Sequence, residues 1–351
     1  MSIEKLLRDN IRVLEPYSSA RDDFSGTAAV FLDANENFQN MISFDRINRY
    51  PDPRSLEVKK AFAKAYGVDV KNLTIGNGSD ELIDILYRMF CECKRDSVLI
   101  MPPTYGEYKV LAAINDVNII SVVQKSDFTL DIESIKRELD EKAPKLMFLC
   151  SPNNPTGASI PLSQVKELAQ YNKGITVVDE AYIDFSTNES AISLISENER
   201  IVVLRTLSKA WGLAGGRIGI AIASEEITSI MYKVKYPYNI PLPSQLCAIK
   251  ALNSYSKVME EAKKITIERE RVRSALETID GVKKIFPSDT NFLLVRVKRA
   301  NEAYDELSKR GIIVRNRSKE VLCASCLRIT IGSRAENDLM LSTLKEVLSE
   351  L

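Results

Sequence analysis

The sequence contains no histidine. That absence excludes Ser-His-Asp and Cys-His catalysis, and it leaves proton transfer near neutral pH to a lysine, tyrosine, carboxylate or cofactor. Cysteine is sparse: Cys91, Cys93, Cys150, Cys247, Cys323 and Cys326 are the six in 351 residues. Cys323-Ala-Ser-Cys326 has metal or redox spacing, but no second pair and no histidine complete a zinc set. The thiols read as reduced and mostly buried, and no metal is expected. Net charge is also missing, since 48 basic side chains balance 48 acidic ones. Nothing electrostatic therefore draws the chain to nucleic acid or to an anionic membrane. No apolar stretch approaches the ~18 residues that cross a bilayer. Residues 1–9 carry Glu4, Lys5, Arg8 and Asp9 and lack the apolar core of a signal peptide, so the cytoplasm is the expected address.

What is present suits a large globular chain. At 351 residues, 45% hydrophobic and 27% charged, it can build one large domain and one smaller one. The first 45 or so residues read as an irregular arm. Helical stripes follow at 54–66 and 79–90. Short apolar runs then alternate with helical segments, at 98–101, 146–150, 175–178, 201–204 and 218–222. Runs apolar on both faces predict an α/β fold around a mainly parallel sheet covered by helices. Three prolines between Tyr236 and Pro243 mark a rigid connection. Beyond it, a long helical stretch over 244–277 and strand-like segments at 291–297, 312–315 and 326–331 read as a small α+β domain. Ser333-Arg334-Ala335-Glu336 opens the last helix as a capping box. The expected division is an arm over 1–45, a large domain over 46–240 and a small domain over 241–351.

Ligands of such sheets bind beyond the carboxyl ends of the strands, so the residues after each run are where chemistry is expected. After 73–75 comes Gly76-Asn77-Gly78-Ser79-Asp80-Glu81, leading into a helix. Exposed N–H groups and the helix dipole favour an anion there, although a plain capping turn has the same composition. Pro102-Pro103-Thr104-Tyr105-Gly106 presents an aromatic ring, or packs it in a tight turn. Ser151-Pro152-Asn153-Asn154-Pro155-Thr156-Gly157 is a rigid loop that fixes an asparagine amide. Asp179-Glu180-Ala181-Tyr182 puts a carboxylate at a strand end, as a functional anion or a cap. Finally, Ser208-Lys209 and the turn through Gly215-Gly216-Arg217 set a lysine after a buried run.

Together these pieces suit pyridoxal 5′-phosphate. Lys209 can supply the amine that the aldehyde needs, as a Schiff base. Asp179 can keep the pyridine nitrogen protonated, and Tyr105 can stack on the ring. Asn154 and Tyr182 can donate to the 3′-oxygen. Gly78, Ser79, Asp80 through its N–H, Ser208 and Arg217 can hold the phosphate.

Asn154 to Gly157, Asp179 to Tyr182, and Ser208-Lys209 with Gly215 to Arg217 resemble the fold-type I, aspartate aminotransferase-like family. Leu32 to Asn37, Arg49-Tyr50-Pro51-Asp52-Pro53, Pro102 to Gly106, Cys150 to Gly157, Leu204 to Lys209 and Cys326 to Gly332 bring the chain closest to the histidinol-phosphate aminotransferase subfamily. The resemblance spans about Tyr17 to the last helix. It implies a transaminase of histidine biosynthesis that moves an amino group between L-histidinol phosphate and 2-oxoglutarate. Lys209, Asp179 and Tyr182 would be its catalytic residues, and Tyr17, Asn154, Arg315 and Arg328 would bind substrate. It further implies a homodimer with shared active sites, in which Tyr50 reaches the neighbouring subunit's cofactor phosphate. Gly216 departs from the pattern, because the family usually has a bulkier apolar residue there; local packing at that point is the open issue. Related aminotransferases with aromatic or branched substrates, and threonine-phosphate decarboxylases, share the cofactor residues. Non-catalytic sensor domains of transcription regulators share the fold but carry an N-terminal DNA-binding module that this sequence does not show.

Overall fold

The computed structural model describes residues 2–15, 30, 32–42, 44 and 46–351. Two sheets organise them, one of seven strands and one of four.

The larger sheet contains β1 (Leu73–Asn77), β2 (Ser97–Ile100), β3 (Asn118–Ser121), β4 (Leu146–Cys150), β5 (Ile175–Asp179), β6 (Ile201–Thr206) and β7 (Ile218–Ile222), in the order β1-β7-β6-β5-β4-β2-β3. Within the described residues, β7 alone runs against its neighbours: it pairs antiparallel with both β1 and β6. The expected mainly parallel α/β sheet is therefore present. Its strands read as unbroken apolar runs because both faces are covered. Leu146, Phe148 and Cys150 of β4 enter one core layer, while Met147 and Leu149 enter the other. That is the two-residue alternation of a strand buried on both sides.

Helices supply the covers. In chain order they are α1 (Asp9–Arg12), α2 (Leu56–Tyr66), α3 (Gly78–Phe90), α4 (Glu107–Ile114), α5 (Ile132–Lys142), α6 (Leu162–Tyr171), α7 (Glu225–Val234), α8 (Leu242–Leu252), α9 (Tyr255–Glu277), α10 (Ala300–Lys309) and α11 (Arg334–Glu350). α3 is apolar nearly all round: Leu82, Ile83, Ile85, Leu86, Tyr87, Met89 and Phe90 are all buried. It lies between β7 and residues 3–12, which form a short 3₁₀ turn and α1. Ile3, Leu6, Leu7 and Ile11 join its core layer, and Arg8 N donates to Met89 O at 3.0 Å. Phe148 stacks with Tyr108 of α4 at a centroid distance of 4.6 Å and with Tyr87 of α3 at 5.6 Å. Emptying the Phe148 position would cost about 3–5 kcal/mol, and it would unseat Tyr108.

The expected single helix over 244–277 is two helices, because the chain turns at Asn253 and Ser254 between α8 and α9. Ala248 and Leu252 of α8 belong to the core of the larger sheet. The smaller sheet is antiparallel, in the order β10-β11-β9-β8, with β8 (Val282–Ile285), β9 (Phe292–Val297), β10 (Arg315–Asn316) and β11 (Cys326–Thr330). Val272 and Leu276 of α9, Leu307 of α10, and Leu344 and Val347 of α11 cover it. The Ser333–Glu336 capping box forms as expected. The strand expected at 312–315 is reduced to Arg315–Asn316, since Ile312 to Val314 make no ladder.

Candidate active site

A cavity of about 320 Å³ opens where the carboxyl ends of the large sheet meet β10 and β11 of the small one. Its walls include Ser79, Asp80, Tyr105, Asn154, Asp179, Tyr182, Ser208, Lys209, Arg217, Arg315 and Arg328. Eleven separate expectations from the sequence thus meet in one space. Thr206 and Arg317 are there as well, and were not anticipated.

Each side chain arrives by a local device. Asp179 ends β5 and is buried. Tyr108 Oη donates to its Oδ2 at 2.7 Å, and Ala181 N donates to its Oδ1 at 3.1 Å. Burial pushes the Asp179 carboxyl above the usual range, and these two hydrogen bonds oppose that shift. Its neighbour Glu180 points away from the cavity into a separate buried network. Arg205 donates to Glu180 at 3.2 Å and also to Asp184, while Tyr66 and Trp211 donate to Asp184. The network ties β5, β6 and the turn after β6 to one another. It leaves one carboxylate of the Asp179-Glu180 pair for the site and commits the other to the scaffold.

Lys209 lies on the turn between β6 and β7. Thr206 Oγ1 donates to Ile218 O at 3.1 Å, and Leu207 N donates to the same oxygen at 2.9 Å, so both ends of the turn are stapled together. Ser208 N donates to Thr206 Oγ1 at 3.1 Å. Lys209 Nζ stands over the Tyr182 ring, 5.5 Å from its centroid. Burial and the nearby Arg328 charge lower its pKa, and Asp179 and Asp80 work against them. A lysine so placed is more readily a neutral nucleophile than one in water.

Because β7 runs antiparallel, Arg217 reaches this edge from the strand's start, not its end. Gly78 N donates to Arg217 O at 2.9 Å. Gly219 lies so close to the start of α3 that a Cβ would meet the Gly78 carbonyl carbon at 2.3 Å, and only glycine fits there. Gly78 has φ +77°, and a Cβ there would strike Arg217 Nη2. Arg217 Nη2 bonds Asp80 Oδ2 at 3.2 Å, and Tyr105 Oη bonds Asp80 Oδ1 at 3.0 Å. Tyr105 also meets Tyr108 edge-on, at 5.5 Å between centroids. Gly78 is thus at the cup of the site without lining the cavity. Gly216, the departure from the family pattern, has room for a side chain: a Cβ would meet only Leu213 Cβ, at 3.6 Å.

Arg328 enters from β11. Its Nη1 donates to the Asn154 carbonyl oxygen, so the Asn154 amide NH₂ is the group left to donate elsewhere. Arg328 also packs over Phe292, 5.2 Å from the ring centroid, and burial lowers its pKa. Tyr50 is not part of this cavity. It is 50% exposed, stacks on Tyr238 at 4.5 Å and lines a separate cleft with Glu36 and Pro243. Tyr17 lies outside the described residues.

The residues fit pyridoxal phosphate by their own chemistry: a buried carboxylate, an amine of lowered basicity, and a glycine cup with helix N–H groups and an arginine. Comparisons with known proteins agree. The sequence pattern of aminotransferase class I and II matches residues 19–344. A histidinol-phosphate aminotransferase from Cytophaga hutchinsonii is 45% identical over 344 residues, 98% of this chain and 99% of that one. Another from Parabacteroides distasonis is 45% identical over 345 residues, again 98% and 99%. Among solved structures, the histidinol-phosphate aminotransferase of Sinorhizobium meliloti, in complex with pyridoxal-5′-phosphate, has TM-score 0.80 at 27% identity. The match covers 86% of this chain and 83% of that one. The Clostridium acetobutylicum enzyme has TM-score 0.80 at 25% identity, covering 87% and 92%.

Fold and site therefore define a pyridoxal-phosphate-dependent transaminase. Within that class the chain belongs to the class I and II aminotransferase family.

Proposed function

We propose that this transaminase moves the amino group between L-histidinol phosphate and 2-oxoglutarate, as a cytoplasmic step of histidine synthesis. The observation that carries this reading is that Arg315 and Arg328 share a cavity with Lys209 and Asp179. Both substrates present an anion far from their reacting carbon, a phosphate in one and a carboxylate in the other. Arginine forks bind either. Near-full-length similarity to proteins called histidinol-phosphate aminotransferase supports the same substrate.

When bound, pyridoxal phosphate supplies a carbonyl for the amine and an electron sink for the carbanion. Lys209 Nζ would hold the cofactor through its carbonyl and would be the base for the proton on the substrate's α-carbon. No histidine competes for that task. Asp179, as an anion, keeps the ring nitrogen protonated, with Tyr108 and the Ala181 N–H holding it in the charged form. Tyr182 and Asn154 would donate toward the ring oxygen, and Tyr105 would offer its face to the ring. Ser79, Asp80 through its N–H, Ser208 and Arg217 hold the cofactor phosphate beside the Gly78 cup. Arg328 takes the substrate's anionic group, and Arg315 mainly the phosphate.

Incubating the pure protein with histidinol phosphate and 2-oxoglutarate should yield glutamate. Glutamate formed from aromatic amino acids but not from histidinol phosphate would transfer the activity to another substrate class. The same reading makes the protein a homodimer in which Tyr50 serves the neighbouring subunit, consistent with the exposure of that ring. Mixing Lys209→Ala with Tyr50→Phe subunits should raise activity above either parent, because one site of each mixed dimer then keeps both residues.

A further inference from the structure

The small sheet brings more cation to the cavity than Arg315 and Arg328 account for. β10 and β11 pair with Arg315 directly opposite Arg328. Beyond β10 the pairing continues, since Arg317 N donates to Cys326 O at 2.8 Å. Side chains two apart on an extended strand share a face. Arg315 and Arg317 accordingly both line the cavity, while Asn316 between them bonds Asn301 at 2.8 Å. Among the described residues, Arg317 has one carboxylate contact, Nη1 to Glu320 Oε1 at 3.3 Å, and the Glu320 side chain is 36% exposed. A long, single, partly hydrated contact of this kind is weak and easily exchanged. Arg317 Nε is buried and has no acceptor among the described residues. The same holds for Arg328 Nε. Buried donors are nearly always satisfied, so two arginines that line one cavity with donor capacity left over suit an anion with several oxygens.

We propose that Arg317 is a specificity-determining residue for the phosphate end of the substrate, with Glu320 as its exchangeable counter-ion. The inference rests on the substrate reading above. A phosphate monoester carries close to two negative charges near neutral pH, and a carboxylate carries one. With the phosphorylated amine bound, Arg317 leaves Glu320 and donates to the phosphate. With a dicarboxylate bound, Arg317 stays paired, and the pocket presents one positive charge fewer. One pocket thereby matches two ligands of unequal charge.

The test uses the holoenzyme and follows each half-reaction separately by cofactor absorbance, with inorganic phosphate as a competing anion. Arg317→Gln should lower kcat/KM for histidinol phosphate by about 10-fold or more, lower it for glutamate far less, and weaken inhibition by phosphate. Glu320→Gln should make phosphate a tighter inhibitor, by roughly 3- to 10-fold. Arg317→Lys, which keeps the charge and loses the fork, should fall between wild type and Arg317→Gln, and it carries the test if the glutamine variant does not fold. Equal losses in both half-reactions, or phosphate inhibition unchanged by Arg317→Gln or weakened by Glu320→Gln, would overturn the role. A wild-type enzyme that rejects histidinol phosphate, yet is inhibited by phosphate through Arg317, would sink the substrate reading and leave this assignment standing.

Discussion

Asp179 and Arg328 face the same cavity from different sheets, and they are held in opposite ways. Asp179 is buried, and both carboxylate oxygens have donors, Tyr108 on one and Ala181 N–H on the other. Behind it, Glu180, Arg205, Asp184, Tyr66 and Trp211 form a closed network. On the other side, Arg317 and Arg328 each keep a buried Nε without an acceptor among the described residues. The difference follows from what each side must hold. A resident cofactor rewards groups fixed in advance, because preorganised charge needs no rearrangement during reaction. Two exchanging substrates of different charge require donors held in reserve.

Breaking the fixed side should cost most. Lys209→Ala should abolish transamination, by at least about 10⁴-fold, measured as glutamate formed. Borohydride treatment of wild type should fix the cofactor on Lys209, and labelling of another lysine would undo the assignment. Asp179→Asn comes next, with a loss of about 10²- to 10³-fold; turnover near wild type would mean that the ring nitrogen does not depend on this anion. On the reserve side, Arg328→Lys should weaken both half-reactions by about 10- to 100-fold, since an ammonium cannot form the fork. Arg315→Ala should weaken the histidinol phosphate half well beyond the glutamate half, and equal damage would argue against the division.

The smallest effect should come from Tyr108→Phe, which separates fixing from charging. Tyr108 donates to the ionised Asp179 and so lowers a pKa that burial has raised. Without the hydroxyl that pKa rises further. On the proposed role, in which Asp179 acts as an anion, the acid limb of the kcat/KM profile should move to higher pH, while turnover at high pH falls only about 10-fold or less. An acid limb that stays in place would show that the limb belongs to another group.

The two sides were also unequally legible in the sequence. The fixed side follows buried strands, and a strand covered on both faces shows itself as an apolar run with its chemistry just after it. Lys209, Asp179 and Asn154 were found that way. Direction is not written in such a run: Ile218 to Ile222 reads the same parallel or antiparallel, so the arrival of Arg217 from a strand's start was not foreseen. Tyr108 sits on the apolar face of α4 and looks like core; its role depends on a carboxylate 71 residues away. Arg317 was missed because Arg315-Asn316 is only a two-residue strand, too short to display alternation. β3, an edge strand with Ile120 as its sole buried residue, leaves almost no apolar signal. The turn between α8 and α9 carries neither proline nor glycine, so nothing local announced it.

The position of β7 between β1 and β6 bears on how the chain comes to be a catalyst as it is made. β1 finds no partner among the strands that immediately follow it; its partner is β7. Asp80 and Arg217, which meet at the cup, are 137 residues apart in sequence. Closing so long a loop is slow compared with forming local helices. During synthesis β1 must therefore wait, an unpaired edge, until β7 has emerged. A nascent chain ending before Ile218 could carry Lys209 and still have no cup, so the anion-holding part of the cavity is completed only when β7 joins the sheet.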